Sequence, residues 1–120
     1  MLEPEEQHAL YKAVRDGDIV LATPLLKKAG GGDLSAGINS KPFEALWHEP
    51  GPECTPLHLA AACLQIKMVE FLTANGANVK SEANGRKPID VVESIDLFAQ
   101  ARAEHPELIT KVKEMLLLYD

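Results

Sequence analysis

Cys54, His58 and Cys63, with His48 upstream, are the side chains of this 120-residue chain best suited to ligate a metal ion. Thiolates and imidazoles hold zinc when they arrive in a few set spacings, and these four match none of them. Two cysteines are also too few to staple a small secreted scaffold, and a reducing compartment keeps them as thiols. Catalysis by a nucleophile needs a base beside it and a group that orients the base. His8, His48 and His105 instead stand isolated along the chain. Gly30-Gly31-Gly32 has the freedom of a phosphate loop but lacks the Lys-Ser/Thr that follows one and the strand that precedes it. The expectation is a non-enzyme, with no catalytic residue, no metal site and no cofactor.

Charge and composition narrow the partners. Acidic residues outnumber basic ones, 18 against 12, for a formal charge of −6. Such a surface repels phosphate backbones and anionic headgroups, so neither nucleic acid nor membrane is expected as a partner. The start, Met1-Leu2-Glu3-Pro4-Glu5-Glu6, has neither the basic residues nor the apolar run of a signal peptide. The uncharged stretch around Leu57–Leu64 contains His58 and is far too short to span a bilayer. The expected compartment is the cytoplasm or the nucleus. Apolar residues make up 46% of the chain, which excludes wholesale disorder, and aromatics only 5%. A core must therefore come from Leu, Val, Ile and Ala, as in closely packed helices.

The elements that would carry these residues read as helices separated by turns. Residues 5–14 place Ala9, Leu10, Ala13 and Val14 on one stripe. Asp16-Gly17-Asp18 is a turn whose Asp18 caps a second helix. Ile19, Val20, Leu21, Leu25 and Leu26 form that helix's apolar face, Lys27-Lys28 suit its C-terminus, and the three glycines end it. Pro24 is expected to kink this helix or shift its start. Residues 30–53 are rich in Gly and Pro and read mostly as neither helix nor central strand. Within them Phe43-Glu44-Ala45-Leu46-Trp47 is apolar and holds the only Trp. Thr55 caps a helix whose first position is Pro56, where no N–H is needed. Gln65 to Thr73 is a further helix ended by Asn75-Gly76. Pro88 starts another, with Ile95, Leu97, Phe98 and Ala101 suggesting that it continues. Pro106 opens the last, with Leu108, Ile109, Val112, Met115, Leu116 and Tyr119 as its buried stripe.

Thr55-Pro56-Leu57-His58-Leu59-Ala60-Ala61, followed in register by Val69, Leu72 and Gly76-Ala77-Asn78-Val79, resembles the ankyrin repeat. The resemblance implies an all-α solenoid of stacked helix-turn-helix units. It implies that Thr55 and Pro56 start the inner helix and that His58 ties adjacent repeats through loop backbone. Leu57 belongs to the buried stripe, Ala60 and Ala61 let the paired helices approach, and Gly76 ends the second helix at positive φ. Weaker copies flank this one. Upstream, Ala13, Gly17-Asp18, Leu25 and Leu26 resemble an N-terminal capping repeat. Downstream, Gly85-Arg86-Lys87-Pro88-Ile89-Asp90-Val91-Val92 resembles a repeat start in which Lys87 replaces the cap and Asp90 the histidine. Leu64 stands where the family usually has Gly between its two helices. The expected organisation is a single domain, 1–120. It comprises a capping repeat at 5–30, a long finger at 31–53, a regular repeat at 54–83 and a C-terminal cap at 84–120.

Ankyrin repeats are not usually enzymes, so the resemblance implies a non-catalytic protein-binding module: an adaptor, an assembly subunit or an occluding inhibitor. Its concave face would consist of Gly51, Pro52, Cys54, Ala62 and Cys63 in the regular repeat. Ala83, Asn84, Arg86, Ser94 and Ile95 would follow in the next, and Arg15 and Asp16 in the first. From Gly30 to Thr55 are about 25 positions where the family has about 12, an enlarged first finger. Phe43, Leu46 and Trp47, rimmed by Glu44, His48 and Glu49, either anchor a partner or fold back over the edge of the short stack. Leu117 and Leu118 fall off the last helix's stripe, as a docking face or as the sign of a chain that continues. The acidic charge suits a partner with a basic patch, and the unbound chain is expected to be a monomer. The alternative is a structural or regulatory ankyrin segment of a larger protein, acting within its own chain.

Overall fold

Leu10, Ala13 and Val14 line the buried side of the first helix, α1 (Pro4–Asp16). They are seen in a computed structural model that describes residues 2–40, 55–82, 87–94 and 106–119. Pro4 opens α1, and the Glu3 N–H donates to Glu6 Oε1 at 3.0 Å, closing a capping box. Gly17 follows the helix at φ 77°, and the Asp18 N–H returns to the Ala13 carbonyl at 2.7 Å. Asp18 then caps α2 (Ile19–Ala29), accepting from the Leu21 N–H at 3.1 Å.

The buried face of α2 differs from the expected one. Ala22 and Leu26 are buried with Ile19 and Leu25 packed beside them, whereas Val20 is 86% and Leu21 48% exposed. Positions 19, 22 and 26 share a helical stripe, and residues 20 and 21 lie successive 100° steps around from it. Pro24 sits inside the helix on an exposed position. The carbonyl it leaves without a helical donor belongs to Val20, which faces water.

Three helix pairs make up the stack among the described residues. α1 packs on α2. A short α3 (Leu34–Ile38) follows, and then α4 (Pro56–Ala62) packs on α5 (Ile66–Ala74) and α6 (Pro88–Ser94) on α7 (Pro106–Leu118). The inner helices α1, α4 and α6 contact in series, and α5 packs on α7 outside. The central helix α4 is therefore enclosed, and every residue from Pro56 to Ala62 is buried. One cluster joins Leu10, Val14, Leu26, Leu57, Leu59, Met68, Leu72, Val92 and Val112 across all three pairs.

The insertion is not wholly irregular. Asp33 caps α3 by accepting from the Ser35 N–H at 3.0 Å, and Ile38 is fully buried. α3 packs against α2 so closely that a Cβ on Gly37 would land on the Leu26 carbonyl oxygen. The glycine is needed there for backbone approach. At the other end of the chain Val112 and Leu116 are buried as expected, but Tyr119 is 48% exposed. It follows the end of α7 and so leaves the helical path that would have returned it to the core. α6 is described as far as Ser94, and the expected continuation through Ile95, Leu97, Phe98 and Ala101 lies outside the described residues.

Candidate interaction site

The site begins at the start of α4. Thr55 and His58 form a reciprocal capping box. The Thr55 N–H donates to His58 Nδ1 at 3.2 Å, and Thr55 Oγ1 lies 2.8 Å from the same nitrogen. An Nδ1 that accepts from donors carries no proton, so the neutral ring is the Nε2–H tautomer. Both residues are buried, His58 completely. These bonds lie within the start of α4. The start of α6 keeps half of the device with a different acceptor: the Lys87 N–H donates to Asp90 Oδ2 at 3.0 Å. A carboxylate thus does for Lys87 what the imidazole does for Thr55.

The ends of the helices share one geometry. The first residue past α1, and the second past α2, α4 and α5, is left-handed, and the next N–H returns to a carbonyl five residues back, closing a Schellman motif. The left-handed residues are Gly17 at φ 77°, Gly31 at 66°, Gly76 at 97° and Leu64 at 56°. Leu64 is the non-glycine case. The Gln65 N–H reaches the Ala60 carbonyl at 3.0 Å there, and the Leu64 side chain is buried in the core cluster. A leucine in this conformation costs roughly 1–2 kcal/mol, and burying its side chain offsets that with about 1.5–3 kcal/mol.

Two side chains that sequence reasoning missed tie the first pair to the second. Gln65 Nε2 donates to the Arg15 carbonyl at 2.6 Å, joining the ends of α1 and α4. Asn39 Nδ2 donates to the Ser35 and Gly76 carbonyls, both at 3.0 Å, and Asn39 Oδ1 accepts from the Asn78 N–H at 2.7 Å. No local pattern announces either one, because their partners lie 37 to 50 residues away.

Of the residues expected to meet a partner, Arg15 and Asp16 sit at the end of α1 as an ion pair, Nε to Oδ1 3.1 Å. The hydrogen bond to Asp16 raises the Arg15 pKa, and Tyr11 and Cys63 lie near enough to add to it. Cys63 is half-buried and packs against the core. Ala62 departs from expectation: it is fully buried against Val91. Its place between α4 and α6 turns its methyl into the stack. Phe43, Leu46, Trp47, His48, Gly51, Pro52, Cys54, Ala83, Asn84, Arg86 and Ile95 lie outside the described residues.

Elsewhere, Lys28 Nζ bonds Glu6 Oε2 at 2.6 Å and clamps α2 to α1. That bond, then the Glu3 N–H, lowers the Glu6 pKa. Among the described residues no three His, Cys, Asp or Glu side chains are grouped to hold a metal, and no helix is long and apolar enough to cross a membrane.

Residues 53–84 match the family model of the ankyrin repeat. That segment runs from before the Thr55 cap to past Val79, a little over a quarter of the chain, and contains α4, α5 and the Leu64 turn. No curated protein and no solved structure matches the chain. The all-helical stack of helix-turn-helix pairs on either side of the ankyrin segment is consistent with the same architecture.

Proposed function

We propose that the chain is a non-catalytic protein-interaction module of three ankyrin repeats, the middle one regular and the outer two modified as caps. The observation that carries this reading is the continuity of geometry outward from the ankyrin segment. α1 ends in the same left-handed turn as α4, and α6 starts on the same N–H-to-side-chain bond as α4. Stacked repeats of this kind present a concave surface of inner-helix ends to another protein. Arg15 and Asp16, an ion pair at the end of α1, and the half-buried Cys63 would contribute to that surface. Phe43, Leu46, Trp47 and His48 extend it as an aromatic anchor with a polar rim. Gly51, Pro52, Cys54, Asn84 and Arg86 supply its finger positions. A net charge of −6 favours a partner with a basic patch. The free chain would be a monomer of the cytoplasm or nucleus, which size exclusion and cell fractionation would test.

The test is affinity capture with mass spectrometry using wild type and the Phe43→Ala/Trp47→Ala double variant. Loss of a captured protein by a variant that keeps its helical circular dichroism supports the reading. Retention of every partner at wild-type level removes the loop from the interface. A second reading, a segment acting on a longer chain of its own, is favoured by the exposure of Leu117, Leu118 and Tyr119 at the end of α7. Its test is whether those residues become protected from exchange in the natural full-length protein.

A further inference from the structure

α2 and α5 are the outer helices of the first two pairs, and a groove of about 380 Å³ lies between them. Ile19 of α2 lines it opposite Lys67, Glu70, Phe71 and Ala74 of α5 and Asn75 just after it. At the Asn75 end the insertion crosses from one pair to the other. α3 is seated on α2 through Gly37 and the fully buried Ile38. Its last residue is followed by Asn39, whose side chain reaches the turn after α5.

We propose that α3 is a strap and the Asn39 carboxamide its latch. The latch holds the first helix pair to the second on the outer side, and α3 can release as a unit while α4 and α5 stay folded. The chemistry of the latch is specific. The amide nitrogen donates to two carbonyls, Ser35 and Gly76, while the amide oxygen accepts from the Asn78 N–H. Only a side chain with donors on one arm and an acceptor on the other satisfies all three. Asn39 itself is exposed, so these bonds are not an incidental result of burial. On the inner side the pairs are held separately, by α1 on α4 and by Gln65 on the Arg15 carbonyl. Releasing the latch therefore frees the outer edge and leaves the inner edge as a hinge.

Native-state hydrogen exchange on the whole chain tests this, read at single amides in wild type, Asn39→Ala and Asn39→Asp. The Asn78 amide bonds the latch directly. The Gly37, Asn39 and Ser40 amides report α3, since they bond the Asp33, Ser35 and Gly37 carbonyls. Cys63 and Val69, bonded to Leu59 and Gln65, report the second pair. In Asn39→Ala the expected result is faster exchange, by about tenfold or more, at Asn78 and at the three α3 amides together, with Cys63 and Val69 unchanged. Asn39→Asp keeps the acceptor for Asn78 but turns an oxygen towards two carbonyls, so it should release the strap as fully. Acceleration at Asn78 alone would overturn the strap, reducing Asn39 to a local bond. Equal acceleration at all six amides would overturn it too, because release would then be global unfolding. Wild-type protection in Asn39→Asp would remove the donor half of the latch.

Discussion

The turns that end α1 and α4 have the same hydrogen bonds and opposite solutions to the same backbone demand. At Asp16-Gly17-Asp18 a glycine takes the left-handed position at φ 77°, and its missing side chain leaves room for Gln65. A Cβ there would stand 2.7 Å from Gln65 Oε1, in the side chain that reaches over to the Arg15 carbonyl. At Cys63-Leu64-Gln65 a leucine takes the position at φ 56° and sends its side chain into the core. The first turn meets the demand by absence and the second by burial. The two also interlock, because the glycine of one accommodates the glutamine of the other. Left-handed backbone is thus available to a bulky residue when tertiary packing rewards its side chain, and is left to glycine where the neighbour needs the space.

Four substitutions break or sharpen this comparison. Leu64→Ala has the largest expected effect: it keeps the left-handed penalty and discards the buried side chain, for a loss of about 3 kcal/mol in urea denaturation. Gly17→Ala should follow at about 2 kcal/mol, from the left-handed penalty together with the displaced Gln65 bond. Leu64→Gly should cost less than Leu64→Ala, about 1–2 kcal/mol, because glycine removes the strain while losing the same burial. The order is the informative part. A Leu64→Gly variant less stable than Leu64→Ala would mean that the left-handed conformation is not strained and that the two turns do not differ as described. Gln65→Ala should cost about 1 kcal/mol. If Gln65 is the reason for the space at Gly17, then Gly17→Ala in the Gln65→Ala background costs less than it does alone, as a double-mutant cycle would show.

The two pairs also differ in how their helices are clamped, with a smaller effect. α1 and α2 share the Glu6–Lys28 ion pair, whereas α4 contains no Asp, Glu, Lys or Arg and relies on apolar burial. The Glu6 pKa is lowered in the fold, first by its hydrogen bond to Lys28. A lowered carboxyl pKa stabilises the fold above the unfolded value and ceases to do so as pH falls through the folded value. Lys28→Gln should therefore lower stability slightly near pH 7, flatten the acid limb of a stability-versus-pH curve and converge with wild type at low pH, the loss being small because Lys28 is exposed and Glu6 only half-buried. An acid limb identical to wild type would show that the clamp carries nothing.

Much of the second pair was legible in the chain. The Thr55-Pro56 start, the His58 three residues on and the Asn75-Gly76 stop are local signals, and each operates within one or two helical turns. The left-handed Leu64 was signalled only as a departure from the expected glycine. Less of the first pair could be read. The apolar run Ile19–Leu21 reads as one buried face, although a helix lets only part of such a run face inward. α3 was hidden because glycine-rich composition reads as loop, while Gly37 serves there to bring two backbones together. Asn39 and Gln65 were unreadable as site residues: asparagine in a turn and glutamine before a helix are ordinary, and their bonds are made across 37 to 50 positions.

By itself, then, the sequence determined the helices other than α3, their caps and stops, and the ankyrin segment within residues 53–84, because capping, proline placement and 3.6-residue periodicity are decided among near neighbours. Only the tertiary structure decided which face of α2 is inside and that Ala62 turns away from the surface. It alone decided that Leu64 is tolerated in a left-handed turn and that Asn39 and Gln65 join the first pair to the second. Each of those depends on what a neighbouring helix pair presents at a distance of a few ångströms, and stacking brings that neighbour from dozens of residues away.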